Sequence, residues 1–260
     1  MPRFAANLSM LFGELALPDR IDAAAAMGFQ AIEFQAPYAA PASTLAEQAT
    51  ARGLQTILLN LPNGPRAEDR GLGAMPGREA EFWEGFEQAI GYCRALRCGL
   101  ARVVCGFVDD EAARPAMRAT LIANLRRAAP VAAAAGVTLT LEPLNQVDTP
   151  GYFLRGHDEA LAIIEDAGAP NVSLQFDAYH LHKNGVDAAA EAARVTGRYA
   201  HVQISQAPAR SEPTVGEIDF PALFALFDRL GYRGWIGCEY RPSGGDTRAS
   251  LAWARAYGIG

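Results

Sequence analysis

Short β-like runs alternate with longer amphipathic or alanine-rich segments eight times along this chain. Such alternation is typical of βα units that build a parallel sheet, and eight units predict a closed (β/α)₈ barrel. An open sheet with one miscounted strand is the alternative. We expect an α/β fold made of a single domain, residues 1–260. The predicted strands span residues 4–8, 31–34, 55–60, 102–107, 137–142, 172–177, 199–204 and 235–240.

The segments between the strands predict eight helices, and their ends carry the usual start and stop signals. Pro18 suits a first helical turn, Ser43 suits an N-cap, and Gly136 follows a predicted helix end. The predicted helices span residues 18–27, 43–52, 79–96, 112–135, 157–166, 187–196, 220–230 and 246–257.

The bulk composition narrows the class of protein and of ligand. A net charge of −6 with scattered Lys and Arg argues against nucleic-acid binding. The N-terminus lacks a continuous apolar stretch, and no run approaches the roughly 18 apolar residues of a membrane span. The four cysteines form no C-x-x-C pair and are expected to be reduced, buried thiols. These features predict a cytoplasmic protein, free of membranes, that acts on a small molecule.

Side-chain alternation indicates which face of each later strand points into the barrel. Apolar residues such as Leu139 and Leu141 must lie under the helices, so Thr138, Thr140 and Glu142 point inward. A polar interior of this kind requires hydrogen bonds or a deep site, because barrel interiors usually hold bulky apolar side chains. The same alternation directs further polar residues inward: Ser173, Gln175, Asp177, His201, Gln203 and Glu239.

Four inward residues fall at the C-terminal ends of consecutive strands: Glu142, Asp177, Gln203 and Glu239. In a parallel barrel those ends meet at one mouth, where barrel enzymes keep their active sites. Three carboxylates there repel one another, so they must hold protons or share a cation. Oxygen ligands favour Mg²⁺ or Mn²⁺ as that cation. The alternative is that each carboxylate only caps a neighbouring helix.

The sequence around these four residues resembles the hydroxypyruvate isomerase family, within the superfamily of xylose-isomerase-like TIM barrels. The likeness rests on E-P-L-N, F-D-A-Y-H, G-C-E-Y-R-P, R-F-A-A-N-L-S-M-L-F, D-R-G-L-G-A-M-P-G-R-E, H-V-Q-I and G-E-I-D-F, which span almost the whole chain. Sugar epimerases of the superfamily usually have a histidine where this chain has Gln203, which favours the isomerase branch. The segment S-Q-A-P-A-R after Ile204 departs from the family pattern and leaves the substrate open.

The resemblance implies a metal-dependent isomerase in which Glu142 and Glu239 bind the metal and also act as the acid and base. A bound divalent metal would polarise the substrate carbonyl and stabilise an enediolate. His180, three residues after Asp177, would hold a substrate oxygen. The predicted ligands of Mg²⁺ or Mn²⁺ are Glu142, Asp177, Gln203 and Glu239. His157 and His182 are not expected to hold the substrate, and His201 is expected to form hydrogen bonds below the mouth.

A sugar-acid substrate carries a carboxylate, which calls for a positive partner, preferably an arginine. The candidates are Arg70, on the glycine- and proline-rich loop 62–78, and Arg210, just after the seventh strand. For each, the alternative is an ordinary solvated loop arginine. The length of loop 62–78 indicates a lid over the site. Asn7 and Asn60 could donate further hydrogen bonds, and Glu33 fits either a supporting or a structural role.

These features favour an isomerase that interconverts hydroxypyruvate and tartronate semialdehyde. The same metal and glutamate pair would serve a 2-oxo-tetronate isomerase or a ketose 3-epimerase. Two further classes are alternatives: a metal-dependent nuclease for abasic DNA, which would need more histidine and glutamate ligands, and a non-catalytic barrel that binds a sugar acid. A homo-oligomer is compatible with the sequence.

Overall fold

Eight parallel strands form one closed barrel in the computed structural model, which describes residues 1–260. Each strand pairs with the next one along the chain, and the last strand closes the barrel on the first. The predicted (β/α)₈ fold is confirmed. The strands are β1 (Arg3–Asn7), β2 (Ala31–Phe34), β3 (Gln55–Asn60), β4 (Leu100–Arg102), β5 (Thr138–Leu141), β6 (Val172–Asp177), β7 (Tyr199–Ile204) and β8 (Trp235–Cys238).

Helices follow the strands and cover the apolar outer face of the barrel. None of them combines the length and apolar character that crossing a membrane requires. All four cysteines are buried and free, as predicted. The α-helices are α1 (Leu17–Ala26), α2 (Ala42–Ala51), α3 (Glu79–Leu96), α4 (Arg114–Ala134), α5 (His157–Ala167), α6 (Ala178–Lys183), α7 (Ala188–Arg194), α8 (Phe220–Arg229) and α9 (Thr247–Ser250), and two 3₁₀ helices span Glu111–Ala113 and Leu251–Tyr257.

The fourth strand lies earlier in the chain than predicted. We expected residues 102–107, whereas β4 ends at Arg102. Beyond that point the backbone leaves the barrel, because the carbonyls of Val104 and Cys105 accept hydrogen bonds from the amides of Gly73 and Ala74, at 2.9 and 2.8 Å. Arg102 therefore lies at the C-terminal end of its strand instead of at the beginning.

Two helical segments differ from the prediction. The helix predicted at 187–196 is present as α7, but an additional helix, α6, precedes it directly after the sixth strand. Helix α6 begins directly after Asp177, because the carboxylate of that residue accepts hydrogen bonds from the Tyr179 and His180 amides, at 2.7 and 3.1 Å, as an N-cap does. The last predicted helix, 246–257, is α9 followed by a 3₁₀ helix.

The polar side chains inside the barrel satisfy one another through hydrogen bonds. Gln203 donates to Glu33 at 2.8 Å and accepts from Gln175 at 2.5 Å. Thr140 donates to Gln175 at 2.8 Å, and the second Glu33 oxygen lies 2.7 Å from His201 Nε2. Burial of these groups is therefore compatible with stability. We call this set the interior network; its members are Asn7, Glu33, Thr140, Gln175, His201 and Gln203.

Gly237 on β8 gives Glu33 the space that it needs, because a Cβ at this position would collide with both carboxylate oxygens. Glu33 is held by Asn7, His201 and Gln203 and cannot easily move aside. We expect Gly237→Ala to lower the free energy of unfolding by about 1–3 kcal/mol in a denaturant titration.

Gly91→Ala is the matched control for that variant. Gly91 is exposed on α3, and an added Cβ there meets nothing within 4 Å. This change should raise stability by about 0.5–1 kcal/mol, because alanine has the higher helix propensity. Unchanged stability in the Gly237→Ala variant would contradict the tight fit around Glu33.

Candidate active site

The carboxyl ends of the strands open into a cavity of about 540 Å³. Of the residues predicted for the site, Asp177, Gln203 and Asn7 are buried but do not line this cavity. Asn60 does line it. The charged side chains and the histidine in its wall are Arg70, Arg102, Glu142, His180, Arg210 and Glu239.

Glu142 follows β5 directly, and its carboxylate forms an ion pair with a buried arginine. Arg102 Nε lies 2.6 Å from Glu142 Oε2, and the two residues are 7% and 1% exposed. Burial raises the pKa of Glu142 well above its usual range; Arg102 opposes this shift, whereas Glu239 and Asp177 add to it. The end of the apolar strand thus carries a carboxylate that depends on a positive partner.

Asp177 ends β6 and uses its two carboxylate oxygens differently. Oδ1 caps α6, whereas Oδ2 is buried without a hydrogen-bond partner. Burial, and next the Glu239 carboxylate, raise the pKa of Asp177 to about 7. The cap therefore fixes the side chain and leaves one oxygen free to face the neighbouring carboxylates.

Glu239 follows β8 and is held by three donors from different parts of the chain. Gln35 and Arg210 donate to it at 2.5 Å each, and Asn7 donates at 3.4 Å. The guanidinium of Arg210 also lies over the Tyr179 ring, 5.3 Å from its centre. Arg210 has a positive φ of 55°, a backbone conformation that residues other than glycine seldom adopt.

His180, on α6, presents an N–H group to the cavity. The backbone amide of Asn145, which can only donate, points at His180 Nδ1 from 3.1 Å, and Asn145 Nδ2 lies 2.8 Å from the same atom. Burial lowers the pKa of His180 well below its usual range, so the ring is neutral. With Nδ1 acting as acceptor, the single ring proton resides on Nε2.

Glu142, Asp177 and His180 are the one group whose ligand atoms are close enough to hold a metal ion, within 4.8 Å of one another. Glu142 Oε1 and Asp177 Oδ2 are both buried without hydrogen-bond partners, a situation that a cation would relieve. His180 Nε2 lies 3.9 Å from each of these oxygens, but its proton makes it a donor. The two carboxylates can therefore hold a cation, and His180 can face a ligand oxygen beside it.

The remaining predicted residues occupy varied positions. Arg70 is exposed on loop 62–78, which is anchored by two hydrogen bonds from Arg78 to Asp69, at 3.0 and 2.9 Å. His182 is half-buried and lies 2.8 Å from Glu217. His157 is buried, begins α5, as predicted for the helix at 157–166, and lies 2.7 Å from Glu191.

Arg102 and Gln35 are the site residues that sequence reasoning missed. Arg102 was overlooked because the fourth strand was placed too late, which put this residue at the start of a strand, far from the mouth. A signal was present, since an arginine in the apolar run L-A-R-V-V-C is as anomalous as Glu142 at the end of T-L-T-L. No comparable signal marks Gln35.

Comparisons with known proteins place the chain in a family. It matches the model of the xylose isomerase-like TIM barrel family over residues 21–257. It is 46% identical over 258 residues to the 2-oxo-tetronate isomerase of Cupriavidus necator, with 99% of each chain covered. It is 38% identical over 263 residues to the hydroxypyruvate isomerase of Escherichia coli, covering 99% of this chain and 100% of the relative. The chain belongs to the hydroxypyruvate isomerase family.

Membership in the hydroxypyruvate isomerase family confirms the predicted resemblance and makes this protein an isomerase. A solved structure from Brucella melitensis, described as an AP endonuclease of family 2, is 39% identical with a TM-score of 0.95 and 99% of both chains covered. The structure of the 3-keto-D-glucoside 4-epimerase of E. coli matches with a TM-score of 0.80 at 19% identity. The match covers 98% of this chain and 99% of the epimerase, and it shows the shared fold alone.

NMR can test whether the ring proton of His180 is on Nε2 in this member of the hydroxypyruvate isomerase family. We expect long-range ¹H–¹⁵N correlation spectra to show the neutral Nε2–H tautomer for His180, assigned by its loss in a His180→Gln variant. The internal reference is His182, which is half-buried and lies outside the cavity. A proton on Nδ1 would contradict the hydrogen bond from the Asn145 amide.

Proposed function

We propose that this protein is a metal-dependent isomerase that interconverts hydroxypyruvate and tartronate semialdehyde. The observation that carries the proposal is the pair of buried carboxylate oxygens, Glu142 Oε1 and Asp177 Oδ2, which lie close together without hydrogen-bond partners. With Glu239 beside them, they require a positive partner. An oxygen ligand set suits Mg²⁺ or Mn²⁺.

The proposed ligands are Glu142, Asp177, Gln203 and Glu239. The Gln203 carbonyl accepts one hydrogen bond, from Gln175, and a carbonyl oxygen has a second lone pair that can face a metal. A bound divalent ion would polarise the substrate carbonyl and stabilise the negative charge of an enediolate.

Glu142 and Glu239 are the proposed acid and base, since both line the cavity. In hydroxypyruvate, one carboxylate would remove a proton from C3, and the other would return a proton to C2. The proton of the C3 hydroxyl would pass to the former carbonyl oxygen, so that the aldehyde of tartronate semialdehyde forms at C3. A raised pKa, as at Glu142, is typical of a carboxylate that takes part in proton transfer.

Neighbouring residues would hold the substrate and the second glutamate. His180 Nε2–H is placed to donate a hydrogen bond to a substrate oxygen. Arg210 and Asn7 hold Glu239, which fixes its direction towards the cavity. Arg70 is the substrate-binding candidate on loop 62–78.

Isomerisation of 2-oxo-tetronate is the second candidate function. It is favoured by the 46% identity to the C. necator enzyme and by a cavity of about 540 Å³, which exceeds what a three-carbon acid fills. A nuclease is not favoured, despite the name of the B. melitensis structure. The chain has a net charge of −6, whereas binding to DNA phosphates calls for a basic surface.

The reaction can be followed by proton NMR of hydroxypyruvate in D₂O with metal-loaded protein. We expect signals of tartronate semialdehyde to grow, and chelation with EDTA to stop their growth. Conversion of 2-oxo-tetronate alone would select the second candidate. Conversion of neither acid by the metal-loaded protein would contradict the proposed function.

Glu142→Gln should reduce turnover by at least about a hundredfold, because an amide can neither take up nor release the transferred proton. Circular dichroism should show an unchanged fold, since the amide has nearly the same shape. The matched control is Glu159→Gln, which removes a glutamate paired with Arg114 outside the cavity and should leave turnover unchanged. Near-normal activity of Glu142→Gln would remove this residue from the mechanism.

Asp177→Asn should weaken Mn²⁺ binding by about tenfold or more, as measured by calorimetric titration, because it replaces the ligand oxygen and can preserve the helix cap. Asp187→Asn is the control: Asp187 caps α7 in the same way, with hydrogen bonds of 2.8 and 3.3 Å, but is exposed and outside the cavity. Equal Mn²⁺ affinity of the two variants would argue against a metal at Asp177.

A further inference from the structure

The three arginines in the wall of the cavity differ in their exposure and in the carboxylates that already share their charge. Arg70 is exposed to solvent, where an ion pair with a ligand contributes little. Arg210 donates to Glu239 at 2.5 Å and lies 4.0 Å from Asp177, so two carboxylates share its charge. Arg102 is the deeply buried member of the three.

Arg102 has hydrogen-bonding capacity that the protein does not use. It is 7% exposed, and its Nε and Nη2 atoms are buried without a hydrogen-bond partner. The short contact with Glu142 Oε2 is an ion pair at Nε and leaves Nη2 unpaired. A buried guanidinium donor without an acceptor is unfavourable, because it has lost its hydrogen bonds to water. Arg102 lines the cavity, so an anionic ligand there can interact with the guanidinium charge.

The position of Arg102 directs it into the cavity beside the reacting carboxylate. It ends β4 and is in register with Asn60 on β3 and Thr140 on β5. Asn60 also lines the cavity, and Thr140 belongs to the interior network, so this level of the barrel faces inward. A ligand that contacts the guanidinium of Arg102 therefore lies next to Glu142.

The charges at the mouth also favour an anionic ligand. When all three are ionised, as metal ligation would require, Glu142, Asp177 and Glu239 carry three negative charges, and Arg102 and Arg210 offset two of them. A divalent cation would turn the remaining single negative charge into a single positive one. A substrate with one carboxylate would then bring the buried site to neutrality.

We propose that Arg102 is the specificity residue that binds the carboxylate of a 2-oxo-acid substrate through its guanidinium charge. The inference rests on the proposed function and replaces Arg70 and Arg210 as the primary carboxylate partner. It makes the site selective for sugar acids over neutral sugars of the same length. The ion pair with Glu142 would hold the guanidinium at the correct distance from the reacting carbons.

The test compares ligands that differ by one group, in metal-loaded protein. Glycerate and glycerol serve as unreactive probes in ligand-observed NMR titrations, and hydroxypyruvate and dihydroxyacetone serve as substrates. We expect Arg102→Gln to weaken glycerate binding by about tenfold or more and to leave glycerol binding unchanged. The ratio of kcat/KM for hydroxypyruvate to that for dihydroxyacetone should fall by a similar factor.

Two further variants keep the test decisive. Arg102→Lys retains a positive charge beside Glu142 but lacks the planar fork, so it should fold if Arg102→Gln does not and should still lose glycerate affinity. Arg114→Gln is the matched control, because Arg114 pairs with Glu159 outside the cavity. It should bind glycerate like the wild type.

The inference is overturned if the Arg102 variants bind glycerate normally, if they lose glycerate and glycerol affinity equally, or if Arg70→Gln alone loses glycerate affinity. Failure of the proposed function gives a different result. In that case the wild type converts neither hydroxypyruvate nor 2-oxo-tetronate, whereas the dependence of glycerate binding on Arg102 persists.

Discussion

Repulsion among three buried carboxylates is the constraint on which the mouth of this barrel depends. Glu142, Asp177 and Glu239 lie 1–2% exposed, where water cannot screen their charges. The surrounding chain supplies Arg102 and Arg210 at short distance, and a helix cap restrains Asp177. These contacts offset part of the repulsion and leave two oxygens unpaired. The remaining imbalance is what makes the site suitable for a cation and an acid.

The site residues at the carboxyl ends of the later strands could be predicted from the sequence, because strand periodicity and the positions of the charged residues indicate the same inward face. Alternation from Thr138 onward directs Glu142 inward, and the same reasoning applies to Asp177 and Glu239. The closed barrel followed from eight repeated units. Local patterns of this kind survive folding because each strand must bury its apolar face under a helix.

Other features depend on contacts between segments that are distant in sequence. The early end of β4 follows from pairing of Val104 and Cys105 with the loop at residues 73–74, which no local pattern reveals. The helix α6 begins at a cap formed by Asp177. Because Asp177 was interpreted as a metal ligand, its second role as a helix cap was missed. Arg102, the ion-pair partner of Glu142, was missed because the early end of β4 could not be predicted.

The interior network has a consequence for how the layer beneath the mouth tolerates change. It links side chains of β1, β2, β5, β6 and β7, and its donors and acceptors are paired with one another. Removal of any one member would leave a buried partner without its hydrogen bond, which is unfavourable. A substitution on one strand of this layer therefore affects side chains on the others, although these strands are far apart in the sequence.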